Sequence, residues 1–415
     1  MKSLAAPLIV ALAFATACSA GADKSPGNGP DPSETGVDPD GGGFDPSAGD
    51  AWELEVNSDV TPIDPEADND GDGYLFKDDC NDGNKEVNPG AYEVPGDTVD
   101  NNCDGTVDEP DSCDTVTDLN HYKSTNPLDF ARALGLCRQA KAGAVGKERT
   151  WGVISAQLVR ADGSPLLAGQ NVQHGILKKF GPLAPRAGKN MVVLSSGTAR
   201  TPDYPEFIGP RSPSFQNFGN KVTPPAGHPK NAAGCPEPFI RTANDSVNLK
   251  LKIRVPTNAN SFQFDFNFYS SEYSKFVCSS YNDTFVAILD SKKPLDPKYA
   301  KNISFDSKGS PVNVNSGFFE ACTPGTHGPI GKTKYFSCPK GTSELEGTGF
   351  WDSDPKQNGA TSWLETKAPV IPGEEITLQF MIWDTGDNIL DSTVLLDNWR
   401  WDAKPTTGPV TDRPK

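Results

Sequence analysis

The strongest constraint on the fold of this chain is a strict alternation of apolar and polar residues. Apolar side chains occupy every second position at Val247, Leu249, Leu251, Ile253 and Val255, and again at Phe262, Phe264, Phe266 and Phe268. A period of two places such side chains on one buried face of a β-strand. Further candidate strands cover Thr284–Leu289, Ile376–Ile382 and Thr393–Leu396. The series predicts a mainly β fold, an antiparallel β-sandwich of jelly-roll type, over residues 146–403.

One helix is predicted before these strands. Thr125, Asn126 and Pro127 form a helix start signal, and Leu128, Ala131, Leu134 and Leu136 supply an apolar face that ends near Ala140. We therefore expect residues 112–145 to be a helical connector between modules.

The formal net charge is −17, and the acidic excess lies almost entirely before residue 112. Residues 19–111 contain only three basic side chains, Lys24, Lys77 and Lys85. Residues 19–66 are rich in Gly, Pro, Asp and Ser, which predicts a disordered tether, and residues 404–415 are expected to be a disordered tail. An anionic front beside a near-neutral remainder favours hard cations as ligands and does not support nucleic-acid binding.

The first residues have the character of an export signal. Leu4–Ala17 is apolar but too short to span a membrane, and the sequence Ala15-Thr16-Ala17-Cys18-Ser19 resembles a bacterial lipobox. That resemblance implies cleavage before Cys18 and acylation of its thiol, with residues 1–18 as signal peptide and anchor. The alternative is an ordinary signal peptide cut near Ala17 or Ala20. We expect an exported, lipid-anchored protein of the outer membrane or cell surface, since Ser19 after the anchor fits outer-membrane delivery.

Eight further cysteines remain, and an exported chain is expected to pair them as disulfides. No pair has the CxxC spacing of a redox or zinc site. Other connectivities stay open, but proximity in sequence favours Cys80–Cys103, Cys113–Cys137, Cys235–Cys278 and Cys322–Cys338.

Residues 67–111 form an Asp-rich module with the spacing of two calcium loops. In the first loop Asp68, Asp70 and Asp72 stand at positions 1, 3 and 5, Gly73 at position 6, Tyr74 offers its carbonyl at position 7, and Asp79 stands at position 12. The second loop supplies Asp100, Asn102, Asp104, Thr106, Asp108 and Asp111. We predict calcium as the ligand, because no His or Met lies between residues 68 and 111 to favour a softer metal. The alternative is a merely solvated acidic linker.

Residues 68–109, DNDGDGYLFKDDCNDGNKEVNPGAYEVPGDTVDNNCDGTVDE, resemble the metal-binding motif repeated in surface proteins of myxobacteria and related bacteria. They are also similar to thrombospondin type 3 repeats. Pro95 stands where family members often carry a cysteine, so the usual disulfide scheme of that family does not transfer directly.

Three later stretches resemble the choice-of-anchor L domain of bacterial surface proteins: FQFDFNFYSSEYSKFVCSSYNDTFVAIL, Pro372-Gly373-Glu374 and IWDTGDNILDSTVLLDNWRW. The resemblance implies a β-sandwich display domain with its core at residues 240–402, and it implies no reaction.

A second group of polar residues flanks the predicted strand ends of this domain. It comprises Glu272, Asn282, Asp283, Asp384, Asp387 and Asp391. A structural calcium site and ordinary turn chemistry are both open interpretations of the Asp-Thr-Gly-Asp-Asn segment.

No catalytic motif stands out. The sequence has no HExxH, GxSxG or P-loop, and its four histidines are isolated from one another. We therefore expect a non-enzymatic calcium-binding lipoprotein that displays a β-sandwich for adhesion to an extracellular polysaccharide or protein partner. The alternatives are a carbohydrate-binding protein that uses Trp351 or Trp363, although burial is the ordinary role of such tryptophans, and a secreted hydrolase.

Overall fold

The computed structural model of the protein describes residues 64–109, 121–211, 218–219, 221–235, 242–351 and 357–414. All of them belong to one compact unit, Ile63–Lys415. Several predictions fall outside these ranges, namely the signal peptide, the Cys18 anchor, the tether up to residue 63, the ligand Asp111 and the partner of Cys137, Cys113.

The described residues form one α-helix and a series of antiparallel strands. The helix α1 is Pro127–Leu134. The strands are β1 Gly152–Val159, β2 His174–Leu177, β3 Met191–Ser195, β4 Lys221–Val222, β5 Ala243–Arg254, β6 Ser261–Ser270, β7 Thr284–Asp290, β8 Gly325–His327, β9 Lys334–Phe336, β10 Gly359–Ala360, β11 Leu364–Pro369, β12 Glu375–Asp384, β13 Ser392–Asp402 and β14 Val410–Asp412. Short 3₁₀ turns cover His121–Lys123, Gly146–Glu148, Gln170–Val172, Pro297–Tyr299 and Ser343–Leu345.

Two sheets contain most of these strands. A five-stranded sheet has the order β1-β5-β12-β7, with β4 beside β5, and a seven-stranded sheet has the order β14-β11-β6-β13-β3-β2, with β10 beside β6. The consecutive strands β5 and β6 lie in opposite sheets, and each pairs with one of the consecutive strands β12 and β11. A two-stranded ribbon therefore folds across both sheets, which is the connection of a jelly roll. The predicted mainly β sandwich is confirmed.

The core lies between the sheets and is built from the alternating residues. Leu249, Leu251 and Ile253 of β5 are fully buried, as are the four phenylalanines of β6. The ring of Phe264 meets that of Phe380 on β12 edge to face, with centroids 4.9 Å apart. Period-two patterning therefore predicted correctly which side chains face the core between the sheets.

The seven-stranded sheet is also covered on its other face. Met191, Tyr269 and Leu395 point away from the first core and pack with Leu345 and Phe350, which lie outside the strands. The chain itself therefore buries this part of the outer face.

Helix α1 begins where predicted and ends earlier. The Asn126 side chain accepts a hydrogen bond from the amide of Leu128 at 3.2 Å, and Pro127 occupies the first turn. Gly135 has a φ of 110° and closes the helix at Leu134, so the predicted end near Ala140 is wrong. Across the described residues, no helix has the length and apolar character required to cross a membrane.

The predicted disordered tail at 404–415 is wrong for its central residues. Val410–Asp412 forms β14 and pairs with β11 at Glu365, Thr366 and Lys367. The hydroxyl groups of Thr411 and Thr366 lie 2.8 Å apart and bond across the pair. Backbone pairing and this hydrogen bond hold a segment whose composition alone favours disorder.

Three of the predicted disulfides are present. They join Cys80 to Cys103, Cys235 to Cys278 and Cys322 to Cys338, with Cα atoms 5.7, 4.7 and 5.2 Å apart. The predicted boundaries between the Asp-rich module, the connector and the sandwich all fall inside the one compact unit.

Candidate metal centre

The first Asp-rich loop is wound tightly by hydrogen bonds from its own backbone. The two carboxylate oxygens of Asp68 accept from the amides of Gly71 at 2.8 Å and Gly73 at 3.1 Å. Asp72 accepts from the amide of Tyr74 at 2.8 Å. Gly71 and Gly73 have φ values of 79° and 94°, a region that favours glycine, so the turn depends on them.

This winding brings carboxylates together. One oxygen each from Asp70, Asp72 and Asp79 lie within 4.8 Å of one another, and so do one oxygen each from Asp68, Asp70 and Asp82. The predicted ligands Asp68, Asp70, Asp72 and Asp79 therefore converge. Asp70 belongs to both groups and links them.

Asp82 was missed by the loop spacing. It follows the twelfth position, and its carboxylate accepts hydrogen bonds from the backbone and the side chain of Asn69, the former at 3.0 Å. In the sequence, Asp82 is one more carboxylate shortly after the predicted ligands. It lies near Asp68 and Asp70 only because the chain folds back.

The electrostatics of the first loop favour a cation. Within the described structure, Asp70, Asp72 and Asp79 each keep one buried carboxylate oxygen without a hydrogen-bond partner. Burial, with the charges of Asp70 and Asp79, raises the pKa of Asp72 to about 6, although the hydrogen bond from Tyr74 acts in the opposite direction. Burial also raises the pKa of Asp79. A cation at this position would be coordinated by the unpaired oxygens and would offset the repulsion between the carboxylates.

The donor set fits a hard cation. Every candidate ligand side chain in the first loop offers oxygen, and calcium takes six to eight oxygen ligands. Cys80 and Cys103 lie beside Asp79, but their sulfurs are joined in a disulfide and offer no thiolate. That disulfide ties the first loop to the second.

The second loop has a different arrangement. Asp100 accepts from the amides of Gly105 at 2.9 Å and Asp104 at 3.2 Å, so the turn itself forms. Asp108 instead accepts from the amides of Gly96 at 2.7 Å and Thr98 at 3.3 Å. In the described part of the chain, no three carboxylates of this loop converge.

A guanidinium stands beside this second loop. Arg138 lies 3.1 Å from the carboxylate of Glu109 and 3.7 Å from that of Asp104. The side chain of Asn102 also donates to Glu109, at 2.7 Å. Thr106 donates its amide to Asp104 at 3.0 Å. Metal binding by Asp100, Asn102, Asp104, Thr106 and Asp108 stays a prediction, and Asp111 lies outside the described residues.

The module docks against the sandwich through residues between the two loops. The amide and carbonyl of Tyr92 bond to the Asn258 side chain at 2.9 and 2.8 Å, and the carbonyl of Gly90 accepts from the amide of Thr257 at 3.0 Å. Tyr74 is fully buried and donates its hydroxyl to the carbonyl of Arg149 at 2.5 Å. Tyr74 directly follows the turn that contains Asp68, Asp70 and Asp72. Its burial therefore places the candidate ion site against the surface of the sandwich.

The second predicted group lies at one end of the sandwich. Glu272, Asn282, Asp283, Asp384 and Asp391 are all buried, and Asp387 is partly buried. They flank the ends of β6, β7, β12 and β13 as the sequence predicts.

Tryptophans divide into buried and partly buried sets. Trp383 and Trp399 are buried, and Trp351 and Trp363 pack at the outer face of the seven-stranded sheet. Trp151, Trp399 and Trp401 line a cavity of about 570 Å³ between the Asp-rich module, α1 and the sandwich.

Comparison with known proteins gives two matches. Residues 188–400 match the family model of the choice-of-anchor L domain, and residues 79–109 match a model described as "Putative metal-binding motif". The second match includes Asp79 and Asp82 of the converging carboxylates and begins after Asp68, Asp70 and Asp72. A comparison with curated proteins found no match.

The two matches indicate a surface-associated protein that carries a metal-binding motif. The first covers more than half of the 415 residues and contains β5, β6, β12 and most of β13, strands that build the sandwich core. The chain belongs to the choice-of-anchor L domain family.

Proposed function

We propose that this protein is a calcium-binding, lipid-anchored surface protein that presents its β-sandwich to a partner outside the cell and catalyses no reaction. The observation that carries the proposal is the convergence of Asp70, Asp72 and Asp79 with unpartnered oxygens, judged over the described residues. The docking of this loop on the sandwich supports a structural role for the ion. Calcium would hold the module against the display domain rather than take part in chemistry.

Calcium is preferred over other metals for two reasons. The candidate ligands are carboxylates, which hard cations prefer, and the nearby sulfurs are oxidised. Modules of this kind outside the cell bind calcium at about 10⁻⁴ to 10⁻³ M, a range that lets the site fill after export.

Calorimetric titration of the full mature chain tests the metal. We expect calcium to bind at up to millimolar concentration, and we expect the variant Asp70→Asn/Asp72→Asn to lose that binding event. Copper added to the same chain serves as the comparison. Equal binding of calcium by wild type and variant, or binding of copper alone, would refute the proposal.

The anchor and the display role need tests in cells. Replacement of Cys18 by Ser is expected to prevent incorporation of labelled fatty acid and to release the protein from the membrane fraction. Cells that lack the protein are expected to adhere or aggregate less in calcium, and wild-type protein should restore this while Asp70→Asn/Asp72→Asn should not. A broad screen for hydrolase activity with and without chelator checks the non-enzymatic assignment, which detected turnover would overturn.

Carbohydrate binding is the second candidate, and the tryptophan-lined cavity favours it. Trp401 is partly exposed there, and Glu93, Arg132 and Arg400 stand beside it as hydrogen-bonding groups. Aromatic faces beside polar groups can bind sugar rings. On a glycan array, we expect binding that disappears in Trp401→Ala and persists in Trp363→Ala. The reverse pattern would assign recognition to Trp363, and absence of binding by wild type would remove this candidate.

A further inference from the structure

One end of the sandwich contains a group of buried acidic side chains. Asp283 precedes β7, Asp384 ends β12, and Asp391 precedes β13. The pairing of Trp383 with Thr284 places Asp384 beside Asp283, and Asp384 pairs with Asn244 of β5. Asp283, Asp384 and Asp391 are 1%, 1% and 2% exposed, respectively. Three strand ends therefore carry carboxyl groups into the interior.

These carboxyl groups lack the compensation that buried acids normally have. Apart from contacts of Asp384 with Asp283 and Ser196, both oxygens of Asp384, both of Asp391 and one of Asp283 have no hydrogen-bond partner among the residues that the structure describes. Burial raises the pKa of each well above its ordinary range, and the charges that act with burial are those of other carboxylates. Glu272 supports the group from below, accepting the amide of Asp283 at 2.8 Å.

Neutral oxygens at the same place are also unpaired. Within the described ranges, the side-chain oxygens of Asn244 and Thr385 are buried and have no hydrogen-bond partner, and that of Ser392 has none besides the carboxyl group of Asp283. Asn244 lies opposite Asp384 in the sheet, and the Ser392 hydroxyl is close enough to Asp283 to lower its pKa. Unpaired buried polar atoms are rare and call for a partner such as an ion. This observation is independent of the acidity of the group.

Another buried acid in the same sandwich shows the usual arrangement. Asp265 is fully buried, and its carboxylate lies 2.9 Å from Arg186, 3.7 Å from Arg400 and 2.9 Å from the Asn398 side chain. At the acidic end, Arg200 lines a void of about 10 Å³ beside Asp391. Its guanidinium instead bonds to the carbonyl of His174 at 2.9 Å and lies 3.8 Å from Glu206. The fold therefore pairs one buried carboxylate with arginine, whereas no arginine among the described residues pairs with this group.

We propose that this end of the sandwich is a second cation site, in which Asp283, Asp384 and Asp391 bind a hard divalent ion of the calcium type. Asn244, Thr385 and Ser392 supply the neutral oxygens that a coordination number of six to eight requires. Among the described residues, three carboxylate oxygens within 4.8 Å occur only in the Asp-rich module, so the neutral oxygens are needed here. The site ties β5, β7, β12 and β13 together at one end of the core.

Close packing holds Asp391 in place for this role. A Cβ added to Gly197 would lie 1.9 Å from a carboxylate oxygen of Asp391. Gly197 lies just after β3, so the end of β3 also contributes to the shape of the site. This proposal does not depend on calcium binding by the Asp-rich module.

The test uses the full mature chain with Asp70→Asn/Asp72→Asn as background, which separates the two sites. Equilibrium dialysis with calcium is expected to show one bound ion fewer when Asp384→Asn is added to this background. The control Asp387→Asn changes a partly buried carboxylate in the same loop and is expected to keep the ion. Equal calcium content in the background chain and its Asp384→Asn derivative would overturn the proposal.

Terbium provides a local readout of the same site. Trp383 is fully buried and directly precedes Asp384, so excitation of tryptophan should sensitise luminescence of terbium bound there. We expect the signal in the background chain, its displacement by calcium and its loss in Asp384→Asn. Unchanged luminescence in Asp384→Asn would overturn the assignment.

Thermal unfolding keeps the test valid if a variant folds poorly. In chelator, Asp384→Asn is expected to melt at or above the temperature of the background chain, because an amide needs no counter-charge. Calcium should raise the melting temperature of the background chain by more than that of the variant, since both keep the second Asp-rich loop. A pair of carboxyl groups that merely shares a proton would give the same calcium effect in both chains, which would overturn the proposal.

Discussion

Asp70 is the residue on which the candidate metal centre depends most. Its carboxylate belongs to both oxygen groups, so one side chain joins Asp72 and Asp79 to Asp68 and Asp82. Replacement by Asn keeps the size of the side chain and removes the charge. The substitution should therefore report on ligation more than on packing.

We expect Asp70→Asn to weaken calcium binding by at least about tenfold, or roughly 1.4 kcal/mol, because two oxygen groups lose a charged ligand. Titration calorimetry measures the change. Asp78→Asn is the matched control, since Asp78 lies in the same loop and outside the converging groups. Equal losses in the two variants would show a general charge effect and contradict a specific role for Asp70.

His174 makes the stability of the sandwich sensitive to acid. Its ring is buried against Phe130, with centroids 5.3 Å apart, and burial together with Arg200 lowers its pKa from 6.5 to about 4. Between pH 4 and pH 6.5, His174 is therefore protonated in the unfolded chain and neutral in the folded chain. Stability from this residue is complete above pH 6.5 and is lost as the pH falls toward 4.

The variant His174→Phe should lose part of this acid sensitivity. Between pH 7 and pH 5, the free energy of unfolding should fall by about 2 kcal/mol less than in wild type. Urea unfolding at both pH values measures the difference. Measurements at pH 8 and pH 9, where the imidazole is neutral in both the folded and the unfolded chain, serve as the control and should show a constant offset. Identical pH profiles for the two proteins would contradict the assignment.

At the scale of elements, the docking of the Asp-rich module depends on Gly90. A Cβ there would lie 2.2 Å from the Tyr74 hydroxyl and 3.0 Å from the methyl group of Thr257. Those neighbours belong to the module and the sandwich, respectively. The glycine therefore permits the close approach of two elements that lie far apart in sequence.

Gly90→Ala is expected to destabilise the protein by about 1–3 kcal/mol, because the methyl group forces this contact apart. Gly83→Ala is the control within the module, where the nearest atom to an added Cβ is 3.8 Å away. Hydrogen exchange of residues 88–92 gives a local readout and should accelerate only in Gly90→Ala. Unchanged exchange would indicate that the module adjusts without losing its contact.

The disulfide between Cys80 and Cys103 joins the two loops across 23 residues. The double variant Cys80→Ser/Cys103→Ser should lower stability by about 3 kcal/mol, because the unfolded chain gains freedom. It should also weaken calcium binding, since the loop that holds Asp79 loses its neighbour. Urea unfolding and calorimetry check the two effects. Cys322→Ser/Cys338→Ser is the control and should leave calcium binding unchanged.

Local patterns predicted several elements well. Alternation identified β5, β6 and β12, because their inward side chains form the core directly. The calcium-loop spacing identified carboxylates that converge, because the turn that gathers Asp68, Asp70 and Asp72 is built from adjacent residues. Three disulfides followed from proximity along the chain.

Long-range contacts explain what the sequence did not predict. Arg138 reaches Glu109 from beyond the predicted loop, and Asp82 joins the converging carboxylates because the chain folds back. The end of α1 depends on Gly135 adopting a positive φ. Strand β14 depends on pairing with β11, in which Val410 lies opposite Lys367, 43 residues earlier in the chain. None of these contacts leaves a periodic signal.

At the scale of the whole molecule, the module and the sandwich form one compact unit. Tyr92 packs in the main core together with Trp151 and Trp399. The aromatic interior of the sandwich should therefore sense the state of the calcium loops. Independent melting of a separate stalk is not expected.

Heating the full mature chain should give one cooperative transition, and calcium should shift it upward as followed by tryptophan fluorescence. Binding to the folded state alone stabilises by mass action, about 2.7 kcal/mol when calcium is present at 100 times its dissociation constant. Calorimetry without a probe checks that the same transition is observed. Two transitions, of which only the earlier responds to calcium, would contradict a single unit.

The covering of part of the outer face of the seven-stranded sheet limits what a partner can reach there. Met191 and Tyr269 lie beneath Leu345 and Phe350, so chain segments between strands form the outer surface there. Recognition at this side must use those connecting segments, and their side chains can change without altering the buried frame. The same buried frame can therefore carry different outer surfaces.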